Sequence, residues 1–354
     1  MDILILGGTG AMGKNVVDIL HNKLDCKVYV TSRSEHPSYD NVCYIKCNAM
    51  NWNEAKSVIE KKNWSVILDF MIYRTECFNQ RIHTFLNNCE HYFFFASARV
   101  YADSKTPITE RSERLLDVIQ DEEYLKTDEY ALSKAREEDI LRSQNKKNWT
   151  IIRPYITYDV ERLQLGVYEK EDWLYRALQG RTIVFDENIA NKETALTTGY
   201  DVALRITALF LNSEAYGETF HITTQEHHKW KDILSLYCEI LEKSTGKKVK
   251  VKLIPGASLI TNNFSAQVKY DRMYDRIFDN SKINSITGMT NYITLKEGIS
   301  ANLNKFLLSP KFKNFHGSVQ ARMDRMSKEW TKLSEIKGLK QKLIYVIVRL
   351  NLKK

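Results

Sequence analysis

Three side chains in this sequence have the types and spacing for acid/base work at a hydroxyl-bearing carbon. Tyr130 and Lys134 stand four apart within Asp128 to Gln144, a stretch with a helical pattern, so they share one helix face. A tyrosine has an ordinary pKa near ~10 and is a poor base at neutral pH, but a nearby ammonium favours its phenolate. Such a pair serves when a hydroxyl must lose its proton as hydride leaves its carbon. Ser97, directly after an apolar run, can hold the same oxygen. A Tyr-x-x-x-Lys alone is common on helices and carries little. Its weight here comes from what surrounds it.

The second group is at the start of the chain. Ile3 to Leu6 is a continuous apolar run, as a strand buried on both faces should be, and Gly7, Gly10 and Gly13 follow it. Met12, Val16, Val17, Ile19, Leu20 and Leu24 then recur at helical spacing. A glycine-rich turn from strand to helix gives a tight turn, lets a pyrophosphate approach the backbone and packs helix on strand. The N–H groups at the helix start then face phosphate. The second strand, Lys27 to Ser32, ends at Arg33 with serines on both sides. An acid at this point grips the 2′-hydroxyl of NAD, whereas Arg suits the 2′-phosphate of NADP, so NADP is favoured over NAD.

These residues need a framework, and the chain supplies alternating elements. Further strands are predicted at Val42 to Cys47, Trp64 to Phe70, Tyr92 to Ala98 and Trp149 to Arg153, with helices at Asn51 to Lys62, Thr75 to Asn88 and Asp128 to Gln144. The fold class is α/β: a Rossmann-type, doubly wound parallel sheet with ligands at the carboxyl ends of its strands. After Pro154 the alternation loosens, and a smaller C-terminal substrate-binding part follows. The expected division is 1–158, then 159–308 interleaved with elements near 200–223 that return to the sheet, then a basic helical tail over 309–354.

Composition fits a globular protein: 354 residues, 43% hydrophobic and 27% charged. Cys26, Cys43, Cys47, Cys77, Cys89 and Cys238 form no Cys-x-x-Cys pair or metal-site spacing, so reduced thiols, no metal centre and a cytoplasmic location are expected. Met1 leads straight into the first strand and no uncharged apolar run approaches ~18 residues, so neither a signal peptide nor a membrane span is expected. The net charge of +8 is concentrated: residues 311–354 hold twelve Lys/Arg against Asp324, Glu329 and Glu335. The preceding part is about neutral, which argues against a nucleic-acid-binding core.

The ordered set Gly7-x-x-Gly10-x-x-Gly13, Ala96-Ser97-Ala-Arg-Val-Tyr101, Pro107-Ile-Thr-Glu110, Tyr130-x-x-x-Lys134, Arg153-Pro-Tyr-Ile-Thr-Tyr158 and Asp201-Val-Ala203 resembles the extended short-chain dehydrogenase/reductases of the epimerase/dehydratase type, which act on nucleotide sugars. It covers roughly residues 1 to 308. The resemblance implies Tyr130 as acid/base, Lys134 on the nicotinamide ribose and Ser97 on the reacting sugar oxygen. It places Thr9, Ala11 and Met12 along the pyrophosphate, Phe70, Met71 and Ala96 beside the cofactor, and Pro154 and Tyr155 at the nicotinamide. Asn48 falls where the family usually has an aspartate near the adenine. Arg272, with Arg276 second, is implied at the nucleotide diphosphate, and a homodimer pairing through a bundle that includes the Tyr130 helix is implied too.

Departures narrow the reaction. The family's 4,6-dehydratases carry Asp-Glu directly after the catalytic Ser/Thr; here those positions are Ala98 and Arg99. The expectation is therefore a 4-epimerase or 4-ketoreductase, with Arg99 on a substrate phosphate or solvated. The acidic segment Thr109 to Glu129 reads as a solvated helix face or a lid. A non-catalytic dinucleotide sensor or a scaffold on the same fold is the rival reading. In the tail, Met323, Met326, Trp330, Leu333 and Ile336 are spaced for an amphipathic helix, Gly338 interrupts, and Leu343 to Val348 follows among Lys340, Lys342, Arg349, Lys353 and Lys354. Such a tail can pack on its own domain or a partner subunit, lie on an anionic membrane surface at the inner face of the membrane, or stay disordered.

Overall fold

The computed structural model describes residues 1–21, 23–261 and 265–351. Lys353 and Lys354 lie outside the described residues. The chain forms two compact units, each built from separated stretches: Met1–Thr157, Ala195–Gln225 and Phe278–Ile293 in the first, and Tyr158–Thr194, Glu226–Ile277 and Thr294–Lys354 in the second.

The first unit is organised on a seven-stranded sheet. Its strands are β1 (Asp2–Leu6), β2 (Lys27–Ser32), β3 (Val42–Lys46), β4 (Trp64–Asp69), β5 (Cys89–Phe95), β6 (Trp149–Pro154) and β7 (Glu218–Ile222). The order is β7-β6-β5-β4-β1-β2-β3, parallel throughout. Helices α1 (Ala11–Leu20), α2 (Trp52–Ile59) and α3 (Thr75–Asn87) make the crossovers. The continuous apolar runs have a simple cause: both sheet faces are covered. Ile3, Ile5, Val28, Val30, Phe93 and Phe95 meet α1 residues Val16, Val17 and Leu20 on one face. Leu4, Leu6, Tyr92 and Phe94 meet α3 residues Phe78, Ile82 and Phe85 on the other. Chain order reverses at β1, which has β2 on one side and β4 on the other, and ligands of such sheets bind at that point.

Between β5 and β6 the acidic segment forms two short helical turns, Leu115–Val118 and Glu122–Leu125, and then the long helix Tyr130–Arg142.

In the second unit, helix Trp230–Thr245 buries Trp230, Ile233, Tyr237 and Leu241 and stops at left-handed Gly246. Helix Leu295–Leu308 starts with a Thr294/Glu297 capping box. The tail is part of this unit and not a region apart, because its carboxylates are the partners of buried Arg176. The single amphipathic helix expected through Ile336 is also corrected. Helix Gly317–Ser327 ends at Lys328, whose φ is +60°, and a second helix runs over Leu339–Arg349. The break lets Glu329 turn inward to the Thr182 N–H and hydroxyl, both at 2.9 Å. No helix of the described residues is long and apolar enough to cross a membrane.

Candidate active site

The glycine turn after β1 is an open cradle. Gly7 has φ +73°, and a Cβ there would meet the Met71 sulfur at 2.9 Å. At Gly13 a Cβ would lie 2.5 Å from the Gly8 Cα, so only glycine lets α1 pack this closely. Gly10 caps α1 with no side-chain hydrogen bond, and its own Cβ would touch nothing nearer than the Gly7 carbonyl at 3.6 Å. The first N–H groups of a helix have no partner within it, and α1 has no acid in its first turn to fill that role. Thr9 and Gly10 are exposed and Ala11 and Met12 half-buried, so this end faces outward. These features fit a dinucleotide pyrophosphate.

The flanking residues border the same turn. Met71 covers Gly7 from the end of β4, and Phe70 stacks on Phe95 with centroids 4.0 Å apart. At the end of β2, Thr31 Oγ1 accepts from the Gly7 N–H at 3.3 Å, Ser32 is buried, and Arg33 and Ser34 are exposed. Asn48 spends its side-chain oxygen on the Met50 N–H at 3.2 Å.

Ser97 and Tyr130 come from two elements that are tied together. Ser97 is buried after β5, and its Oγ accepts from the Arg99 N–H at 3.2 Å, which leaves the hydroxyl proton to donate. The turn Ala98–Val100 packs on helix Tyr130–Arg142. Arg99 fastens the two: its guanidinium reaches Glu129 at 2.6 Å and lies 5.3 Å from the Tyr130 ring centre. Arg99 is thus largely buried and paired with Glu129. Glu129 is in turn gripped by the Tyr124 hydroxyl at 2.8 Å, so the acidic segment fixes the start of the helix Tyr130–Arg142.

Lys134 is buried one turn on. Its Nζ donates to Glu137 at 2.8 Å and lies 4.7 Å from the Phe94 ring centre. Burial holds the Glu137 carboxyl above the usual range, against the pull of Lys134. The next residue, Glu138, is wholly buried on Arg153, with Nε at 2.7 Å from Oε1. Burial opposes its charge, but Arg153, Arg142 and Arg114 outweigh it and hold Glu138 below the usual range. Beside Lys134 is a carboxylate that the sequence did not single out. Asp69, at the end of β4, accepts from the Tyr73 hydroxyl at 3.1 Å, the Tyr92 hydroxyl at 2.9 Å and the Met71 N–H at 3.1 Å. Burial pushes it up to about 6, against these bonds and the field of Lys134.

Ala96 is buried and anchored to the Ile152 carbonyl at 2.8 Å. Pro154 ends β6, and the Tyr155 ring lies 5.3 Å from that of Phe278. Tyr101 is internal: its hydroxyl donates to His221 Nδ1 at 3.1 Å while Nε2 donates to the Asp279 carbonyl at 2.7 Å. Arg272 belongs to the second unit. It is buried, paired with Asp271 and bonded to the Gly166 carbonyl at 3.0 Å; Arg276 reaches the same Asp271 at 3.0 Å. Among the described residues no cluster of three or more His, Cys, Asp or Glu could hold a metal ion.

The structure thus gathers Gly7 to Gly13, Phe70 and Met71 at the adjoining ends of β1 and β4, and Ser97, Arg99, Tyr130 and Lys134 around the helix that follows β5. The residues missed by sequence reasoning are Asp69, Glu129, Glu137 and Glu138. The carboxylates three and four residues after Lys134 were a signal, since they fall on its own helix face.

No protein-family model matches the chain, and no curated protein matches it by sequence. Solved structures do. A UDP-glucuronic acid 4-epimerase from Bacillus cereus, with UDP-glucuronic acid and NAD, superposes with TM-score 0.65 at 14% identity over 87% of this chain and 99% of that one. A dTDP-glucose 4,6-dehydratase from Bacillus anthracis with NAD gives 0.66 at 15% over 87% and 97%. An epimerase from Methanothermobacter thermautotrophicus gives 0.68 at 16% over 87% and 92%. At these identities the likeness establishes architecture: this chain has the fold of the NAD-dependent nucleotide-sugar epimerases and dehydratases, that of the extended short-chain dehydrogenase/reductases.

Proposed function

We propose that this protein is an NAD(P)-dependent oxidoreductase or epimerase acting at a ring carbon, C4, of a nucleotide sugar. The observation that carries the reading is the placement of Ser97 and Tyr130 on two elements clamped by Arg99, with buried Lys134 one helical turn on. A dinucleotide with its pyrophosphate on the glycine turn would bring the nicotinamide that supplies the hydride acceptor or donor. Tyr130 takes the proton of the ring hydroxyl as hydride leaves its carbon and returns it in the reverse direction. Ser97 donates a hydrogen bond to the same oxygen. Glu137 takes one donor of the Lys134 ammonium and leaves two for ribose hydroxyls.

Elimination across neighbouring carbons needs a second acid/base pair after Ser97. Ala98 is a buried methyl group and Arg99 is committed to Glu129, which supports 4-epimerase or 4-ketoreductase chemistry over 4,6-dehydration. Exposed Arg33 between Ser32 and Ser34 supports NADP ahead of NAD. The reading also carries a homodimer formed through the Tyr130–Arg142 helix, checked by sedimentation.

The test is to identify the cofactor released when freshly purified protein is denatured, and then to assay 4-keto and 4-hydroxy nucleotide sugars. NADP(H), or an empty protein that binds NADPH ahead of NADH, supports the ketoreductase. Stoichiometric NAD supports an internally recycling epimerase. Cofactor binding without turnover on any nucleotide sugar defeats the proposal.

A further inference from the structure

We infer that the C-terminal helix Leu339–Arg349 is a docking face for an anionic lipid surface. The first observation is that this helix has two apolar faces. One faces the second unit: Tyr345 is wholly buried, its hydroxyl donates to Asp324 at 2.6 Å, and Val348 packs on the same small core as Ala321 and Ile336. Gly317 lets the preceding helix come close, since a Cβ there would lie 2.7 Å from the Gln341 carbonyl oxygen. The other face has no need to be apolar on folding grounds. At 100° per residue Leu339, Leu343, Ile347 and Leu350 form one stripe. Leu339, Leu343 and Leu350 are 73%, 55% and 51% exposed.

The second observation concerns charge. The tail has three acids, and each is turned inward onto arginines of its own unit. Asp324 and Glu329 hold Arg176 at 2.7 and 3.2 Å, and Glu335 holds Arg181 at 2.6 Å. Lys313 pairs with Glu161 at 2.9 Å, but the later lysines among the described residues are not used this way. Lys328, Lys332, Lys337 and Lys340 are exposed, and Lys340 and Lys342 stand to either side of the leucine stripe. The folded tail therefore presents outward a basic surface with an apolar stripe, cleared of its own counter-charges. That combination matches the interface of a bilayer containing anionic lipids, where apolar side chains enter the headgroup boundary and ammonium groups meet phosphates. The helix lies along such a surface, since no helix of the described residues can cross it.

The experiment is co-sedimentation of the full chain with phosphatidylcholine vesicles and with vesicles containing about one-third phosphatidylglycerol. Binding is expected on the second only, with at least about a tenfold loss when salt rises from about 0.1 M to about 0.5 M. The double variant Leu339→Asp, Leu343→Asp, at positions where the fold does not need leucine, is expected to remove binding and leave cofactor binding unchanged. Lys337→Gln, Lys340→Gln and Lys342→Gln together are expected to remove the salt-sensitive part. No binding to anionic vesicles, equal binding to both vesicle types, or binding that survives the double aspartate change overturns the inference. So does a double variant that instead changes the sedimenting mass of the vesicle-free protein, which would make a second copy the occupant.

Discussion

Arg153 and Arg176 are both wholly buried, and each faces a carboxylate that is buried as well. Arg153 reaches Glu138, 15 residues back in the chain; Arg176 reaches Asp324, 148 residues on. The first pair braces the helix that carries Tyr130 and Lys134. The second anchors the tail to its unit. Both carboxyls sit below the usual range: burial works against them, and the facing guanidinium wins. Burial also draws Arg176 down from its ordinary value, yet a guanidinium starts above ~12 and stays charged. The same physics thus does two jobs. Where the partners are close in sequence it stiffens a site; where they are far apart it defines which residues belong to one body.

The sharpest test of that contrast is a change that removes chemistry without touching either brace. Tyr130→Phe is expected to lower kcat by about 10²–10⁴-fold, with cofactor affinity and unfolding unchanged, measured on whichever nucleotide sugar proves active. Loss of folding instead would make Tyr130 part of the brace.

Arg153→Met and Arg176→Met each strand a buried carboxylate, and each is expected to cost about 3–5 kcal/mol. They should differ in place. Hydrogen exchange should rise along Tyr130–Arg142 for the first, and along Gly317–Ser327 and Leu339–Arg349 for the second. Matching exchange patterns would erase the contrast between the two braces.

Asp69 offers a pH test confined to the first unit. Its folded pKa, about 6, exceeds its unfolded value, so the folded form binds more protons between the two. Stability is expected to fall as pH rises from about 4 to about 6 and then level off, by about 3 kcal/mol at most. Asp69→Asn should flatten that slope, followed as the urea midpoint of the first unit. An unchanged slope would show that the carboxyl is ionised throughout.

The smallest effect is expected at Tyr345→Phe. It removes a hydroxyl that donates to Asp324 at 2.6 Å and accepts from the Thr331 N–H at 2.8 Å. The cost is about 1–3 kcal/mol, read as faster proteolysis of the tail.

The sheet was legible because strands covered on both faces must be apolar throughout, so Ile3 to Leu6 and Tyr92 to Phe95 announce themselves. The glycine turn was legible for a similar reason: backbone constraints at Gly7 and Gly13 admit one residue type. What stayed hidden was set by distant partners. Asp69 looks like any strand-end aspartate until Tyr73, Tyr92 and Lys134 close around it. The break at Lys328 follows no local signal; it exists because Glu329 bonds Thr182, 147 residues away. Arg99 was visible as unusual, but its tie to Glu129 depends on how the acidic segment folds back.

The span between Arg176 and Asp324 also sets a clock on synthesis. At ~5–20 residues/s a ribosome needs roughly 7–30 s to make the intervening chain. Through that interval Arg176 has no Asp324 or Glu329 to meet, and the second unit waits with an uncompensated cation where its interior will be. The segment made 148 residues later is thus the one that completes the charge balance, and a nascent chain stalled before residue 324 should be open to chaperones and proteases.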